Sequence, residues 1–236
     1  MAQNTPNNNM IYPANVASLK RAWTYRTGDA IESSPMVVSG VVYTGSRDHH
    51  LYALDARTGK KLWSYRTGGA VYATPTVVDD VVYAGSFDAT LSALEARTGT
   101  LLWRYATGNA IESSPSVADG VVYVSSTDHT LYALNADTGD RLWSFESSAG
   151  IQSSPAVADG IVYFGSWDHN VYALDATTGA KIWSYTTGDR ISSSPAVADG
   201  VVYIGSQDNL LYALDAGTGE KSVSYTHLTL PTIYSV

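Results

Sequence analysis

No cysteine occurs among the 236 residues, which excludes disulfides, thiolate metal sites and a cysteine nucleophile. Charge is scarce too: Asp, Glu, Lys and Arg make up 15% of the chain, well under the usual quarter. The balance is acidic, net −8, so the chain lacks the basic surface with which nucleic-acid binders displace counterions. No window approaches 18 uncharged apolar residues, the least a membrane-spanning helix needs. No segment keeps a helical hydrophobic period over ten residues. Residues 1–9, MAQNTPNNN, lack the basic and apolar regions of a signal peptide. What the chain does have is a 44% hydrophobic and 11% aromatic composition, which excludes disorder. Its length is enough for one large core.

The order within that composition is a repeat. Trp23, Trp63, Trp103, Trp143 and Trp183 are each 40 residues apart. Aligned on them, the text SSPMVVSGVVYTGSRDHHLYALDARTGKKLWSYRTG from Ser33 recurs with small changes from Ala73, Ser113, Ser153 and Ser193. Each copy reads as four short strands. The first begins at Pro35, Pro75, Pro115, Pro155 or Pro195, where a missing N–H is tolerated. A two-residue turn follows, Ser39-Gly40, Asp79-Asp80, Asp119-Gly120, Asp159-Gly160 or Asp199-Gly200, a tight-hairpin signal because both residues take positive φ. VVYxGS is the second strand, LYALDA the third and KLWSYRT the fourth, with fourth strands starting near Lys61, Leu101, Arg141 and Lys181. Residues 20–27 read as a further fourth strand with no preceding sheet of their own.

Four antiparallel strands in about 40 residues is the signature of a propeller blade. A four-stranded sheet has two apolar faces and cannot bury both alone; stacking blades around an axis does so, with one Trp at each seam supplying contact area. The expected fold is all-β, a β-propeller of about five blades, part of a seven- or eight-bladed ring. Residues 1–19 are expected to be an opening segment and 20–221 a single propeller domain. From Val223 the text VSYTHLTLPTIYSV departs from the repeat and is similar to the translation of a sequencing adapter. Residues 222–236 are therefore expected to be a non-native tail, a divergent capping strand being the alternative.

The stretch from Ala53 to Trp63 has the form AxDxxTGxxxW, and it recurs at Ala93–Trp103, Ala133–Trp143 and Ala173–Trp183. Glu95 and Asn135 replace the motif Asp in two of these copies. The stretch resembles the tryptophan-docking motif of the PQQ-like (pyrroloquinoline quinone) repeat superfamily. The resemblance implies that Trp63, Trp103, Trp143 and Trp183 stack between the Ala and Gly peptides of a neighbouring blade. Structural docking roles follow for Ala53, Gly59, Ala93, Gly99, Ala133, Gly139, Ala173 and Gly179. The superfamily includes PQQ-dependent dehydrogenases holding PQQ and Ca²⁺ on the propeller axis, the cofactor-free scaffold BamB of outer membrane protein assembly, and sensor propellers of bacterial serine/threonine kinases. The adjacent Cys pair of the dehydrogenases and their long insertions are absent here.

The residues themselves point to no catalytic constellation. Asp48, Asp88, Asp128, Asp168 and Asp208 occupy equivalent turns, where a carboxylate accepts nearby backbone N–H groups. Equivalent loops of neighbouring blades lie too far apart to share one metal. His49, His129 and His169 follow three of these aspartates, and His tolerates left-handed backbone. Near-identical blades give rotationally repeated groups, whereas catalysis needs different groups converging on one point.

Variation between blades is concentrated in two connections, the fourth-to-first (29–32, 69–72, 109–112, 150–152, 189–192) and the second-to-third turn (Arg47, Phe87, Thr127, Trp167, Gln207). In an up-and-down blade these emerge on one face. Arg47, Tyr72, Phe87, Glu112 and Trp167 are the candidate recognition residues, with aromatic anchors on a rigid frame. The expected function is a non-catalytic scaffold, BamB-like, binding protein partners or a small ligand at that face in the periplasm or cell envelope, with no cofactor, metal or nucleic acid. The alternatives are a fragment of a PQQ-dependent alcohol or sugar dehydrogenase, which alone would bring PQQ and Ca²⁺, and a kinase sensor propeller.

Overall fold

The computed structural model describes residues 20–221. The opening segment 1–19 and the tail 222–236 lie outside the described residues. Within them the chain forms five antiparallel sheets in sequence order, four of four strands and a last one of three. In the first sheet β1 (Met36–Val38), β2 (Val41–Ser46), β3 (His50–Asp55) and β4 (Lys61–Arg66) lie side by side in chain order. The other sheets repeat this plan at the expected starts Leu101, Arg141 and Lys181 for the fourth strand.

The local reasons are those of hairpin chemistry. Ser39 and Gly40 both take positive φ, 49° and 78°, so the β1–β2 loop twists with its strands. The third-to-fourth turn is tied by Asp55, whose carboxylate accepts from the Thr58 N–H at 2.7 Å, while Gly59 at φ 71° returns its N–H to the Asp55 carbonyl. The strand register slips between Ala53 and Leu54, a bulge repeated in each of the four complete sheets.

Burial is concentrated at the seams. Each hydrophobic cluster joins two successive sheets: Leu51 and Trp63 of the first meet Val82, Leu94 and Ala96 of the second, and the pattern continues through to Ile204 and Leu214 of the fifth. First strands of successive sheets adjoin, placing them innermost. There the Ser34 N–H donates to Thr74 Oγ1 (3.2 Å), Thr74 to Ser114 Oγ (3.0 Å), Ser114 to Ser154 Oγ (2.9 Å) and Ser154 to Ser194 Oγ (3.0 Å). This hydroxyl girdle satisfies N–H groups that the short inner strands leave unpaired.

One expectation needs correction. Residues 20–27 do not form a regular strand and pair with none of the five described sheets; Trp23 nonetheless docks like its successors, its indole N–H donating to the Ala56 carbonyl. The fifth sheet has no fourth strand among the described residues, only a bridge from Leu214 to Lys221. No further sheet among the described residues covers its face: Leu211 is 75% exposed and Tyr203 41%, whereas Leu51 and Tyr43 at the same places are buried against the second sheet.

Candidate functional site

The seams hold the variable loops in place. The Trp63 indole N–H donates across the seam to the Ala96 carbonyl at 2.9 Å, and the Tyr43 hydroxyl donates to the same oxygen at 3.2 Å. The pair recurs as Trp103 and Tyr83 on Ala136, Trp143 and Tyr123 on Ala176, and Trp183 and Tyr163 on Ala216. One buried carbonyl thus uses both lone pairs. The indole also covers the neighbour's turn glycine: Trp23 on Gly59, Trp63 on Gly99, Trp103 on Gly139, Trp143 on Gly179 and Trp183 on Gly219. The motif alanines Ala53, Ala93, Ala133 and Ala173 sit differently from the expected docking role. Each pairs opposite the tryptophan of its own sheet, and its small side chain leaves room for that ring. The cross-seam acceptors Ala56, Ala96, Ala136, Ala176 and Ala216 escaped sequence reasoning, since a backbone oxygen leaves no mark on residue identity.

On the face of the variable connections, the two loop series are bound to each other. The N–H groups of Arg47, Phe87, Thr127, Trp167 and Gln207 donate to the carbonyls of Ala30, Ala70, Ala110, Gly150 and Arg190. Beneath them the repeated aspartates act as turn organisers. Asp168 Oδ2 accepts from the Ser148 N–H (3.0 Å) and the Tyr172 hydroxyl (2.7 Å), and Oδ1 from the Asn170 N–H (3.0 Å). Burial opposes ionisation of Asp168, but the Tyr172 hydroxyl and these N–H donors outweigh it and hold the carboxyl below its ordinary range. The same contacts, with burial as the larger cause, push Tyr172 well up; Tyr132 over Asp128 is raised to about 12 by burial first and that carboxylate second. His49, His129 and His169 stand at φ 66°, 77° and 72°, as turn residues. Among the described residues no three His, Asp or Glu side chains gather as a metal site would require.

Within this frame the variable side chains part into two groups. Tyr72, Phe87 and Glu112 line one cavity of about 300 Å³ together with Glu32 and Gln152. The Tyr72 and Phe87 rings meet at 4.7 Å between centroids, tilted 57°, with Phe87 44% exposed. The Gln152 amide donates to Glu112 Oε2 at 2.6 Å. Arg47 stands beside this cavity, its guanidinium 3.2 Å from Glu32. Trp167 belongs to the other group. Its ring lies over Gly150 and its indole N–H donates to Ser192 Oγ at 3.1 Å, to which the Gln207 amide also donates at 3.2 Å. Trp167 is thus a packed, tethered residue and does not share the cavity with Phe87. Glu32 and Gln152 occupy the same repeat position as Tyr72 and Glu112, a relation from which the alignment alone could have drawn them.

These residues do not fit PQQ with Ca²⁺. PQQ carries three carboxylates, and the cavity meets it with Glu32 and Glu112 against the single guanidinium of Arg47; Ca²⁺ takes six to eight oxygen ligands in one cage, where here one carboxylate is engaged by Arg47 and the other by Gln152.

Comparison with known proteins places the fold. The family model described as outer membrane protein assembly factor BamB matches residues 8–109, 69–154 and 146–229. The chain belongs to that family. BamB from Moraxella catarrhalis has a similar structure, with 25% identity and a TM-score of 0.75 over 85% of this chain and 66% of that one. A europium-containing methanol dehydrogenase shares the fold at 18% identity, TM-score 0.78, over 90% of this chain and 54% of that one. So does the quinohemoprotein alcohol dehydrogenase ADHIIG from Pseudomonas putida HK5, at 23% identity, TM-score 0.70, over 84% and 42%. The chain therefore spans under two thirds of the length of the solved structures it resembles. No curated protein sequence matches it. The fold is the expected one, a partial β-propeller of PQQ-like repeats.

Proposed function

We propose that this chain is a non-catalytic propeller scaffold of BamB type that holds a protein partner in the cell envelope. The observation that carries this reading is the division of labour in each repeat. Seams, bulges and turn aspartates are the same from blade to blade, while the residues that differ lie on one face, where Glu32, Tyr72, Phe87, Glu112 and Gln152 surround a cavity. Rigid frames with variable loops are how propellers present recognition surfaces. Membership of a family described by outer membrane protein assembly supports the envelope as the place.

The test is complementation. Exported into the periplasm of a bacterium lacking its own assembly factor of this family, the chain should raise the level of folded, heat-modifiable outer membrane barrels. Phe87→Ala should abolish that gain at unchanged protein level, because Phe87 is exposed and contributes little to folding. A chain that accumulates folded yet never restores barrel levels, or one that reduces a redox dye when given PQQ and Ca²⁺, would overturn the reading.

A further inference from the structure

The two halves of the variable face differ in one respect. Around Ser192 the variable side chains bind one another: Trp167 Nε1 and Gln207 Nε2 both donate to its hydroxyl. Around Tyr72 the charges do not cancel. Glu32 has Arg47, but at 3.2 Å with both side chains about half exposed. Glu112 receives the neutral Gln152 amide on Oε2, and among the described residues no ion pair neutralises it. Two carboxylates against one guanidinium leave one negative charge uncompensated beside a cavity of about 300 Å³. Two aromatic rings form the rest of its wall, and their π-faces attract cations.

From this juxtaposition we propose that the cavity takes one arginine side chain of the protein partner, resting on the scaffold reading above. An anion would face the carboxylates. A purely apolar wedge would bury Glu112 with its charge unanswered, at a desolvation cost. A metal ion such as Ca²⁺, which takes six to eight oxygen ligands, would find two carboxylates and two rings that cannot ligate it. A guanidinium suits all the walls at once. Its fork reaches the free oxygen of Glu112, its plane stacks on Phe87 or Tyr72, and its methylene stem covers the exposed ring edge. Lysine supplies charge without the planar fork and fits less of the site.

The test is an NMR titration of the full chain with N-acetyl-arginine amide, its lysine counterpart, and N-acetyl-citrulline amide, which has nearly the same shape without the charge. Arginine amide should shift the backbone amides of Tyr72, Phe87 and Glu112. Citrulline should bind at least tenfold more weakly, and lysine should fall between. Glu112→Gln should cost the arginine ligand about tenfold while leaving the citrulline affinity unchanged, and Phe87→Ala should weaken both cations. Raising salt should weaken arginine and not citrulline. Equal shifts from arginine and citrulline, shifts confined to other blades, or an unaltered arginine affinity in a folded Glu112→Gln chain would each overturn the proposal. The scaffold reading fails separately: barrel assembly unrestored while arginine still binds leaves the site standing, and assembly restored by both the native and Glu112→Gln chains removes the site and leaves the scaffold.

Discussion

Trp63 lies so close to Gly99 that a Cβ at position 99 would fall 2.7 Å from the indole ring. Gly99 also sits at φ 73°, where an L side chain is strained. Gly120 has the same φ of 73° with nothing within 4 Å of the corresponding point. The two glycines therefore separate backbone strain from steric overlap. Gly120→Ala should cost about 1 kcal/mol from φ alone. Gly99→Ala should cost about 2–4 kcal/mol, since overlap in a packed seam adds about 1–3 kcal/mol. Urea unfolding of the two variants decides it; equal losses would mean the indole can move aside and the seam is softer than described.

The second sheet carries a local flaw at the matching hairpin. Asp80 takes φ 60° where Gly40, Gly120, Gly160 and Gly200 stand in the other sheets. Asp bears left-handed backbone better than most residues but less well than Gly. Asp80→Gly is expected to stabilise the chain by about 0.5–1 kcal/mol. A fall in melting temperature would show that the Asp80 carboxylate does something useful in that turn.

The period of 40, the four strands and the seam tryptophans were all legible in the sequence because the repeat displays its own constraints. Every position that the packing demands is printed several times. Four things were not legible, each for a physical reason. The acceptor for Trp63 is a backbone carbonyl, that of Ala96, and any residue supplies one. The serine and threonine girdle pairs residues 40 apart across the inner strands, where the SSP text reads equally well as turn chemistry. The cavity draws Glu32, Tyr72, Glu112 and Gln152 from four different blades, and loops compared one by one do not reveal which of them converge. The tether of the Trp167 indole to Ser192 was not legible either, because the two residues lie 25 apart in different loops and neither alone signals the other.

Asp168 and Tyr172 set opposite limits on the pH range of stability. The Asp168 carboxyl is depressed in the folded chain, so its contribution is present above the unfolded value of about 3.9 and is lost as pH falls through the lower folded value. Tyr172 is raised, so its contribution is full below about pH 10 and is lost as pH climbs toward the folded value. Tyr172→Phe removes the shared bond. It should cost about 1–2 kcal/mol at neutral pH, move the acid unfolding midpoint upward, and flatten the alkaline loss above pH 10. The second sheet offers the reverse experiment, because Ser92 stands at the place of this tyrosine. Ser92→Tyr would give Asp88 the hydroxyl partner that Asp48, Asp128, Asp168 and Asp208 have. An acid midpoint unmoved in Tyr172→Phe would detach the carboxylate from stability.

Gly150 and Trp167 form a coupled pair. A Cβ at position 150 would lie 2.7 Å from Trp167 Cε3, so the indole occupies the space that Ala30, Ala70 and Ala110 fill at the equivalent place. Gly150→Ala alone should destabilise by about 1–3 kcal/mol, since the ring is held by its bond to Ser192 and cannot withdraw without losing it. Trp167→Thr alone loses the ring's packing and its hydrogen bond. Combined, the two substitutions recreate the Ala110–Thr127 arrangement of the third sheet, and the overlap disappears. The double variant should therefore be more stable than the sum of the single losses by about 0.5–3 kcal/mol, the range for residues in direct contact. Simple additivity would mean that the two sites are independent and that the glycine at 150 owes nothing to the tryptophan above it.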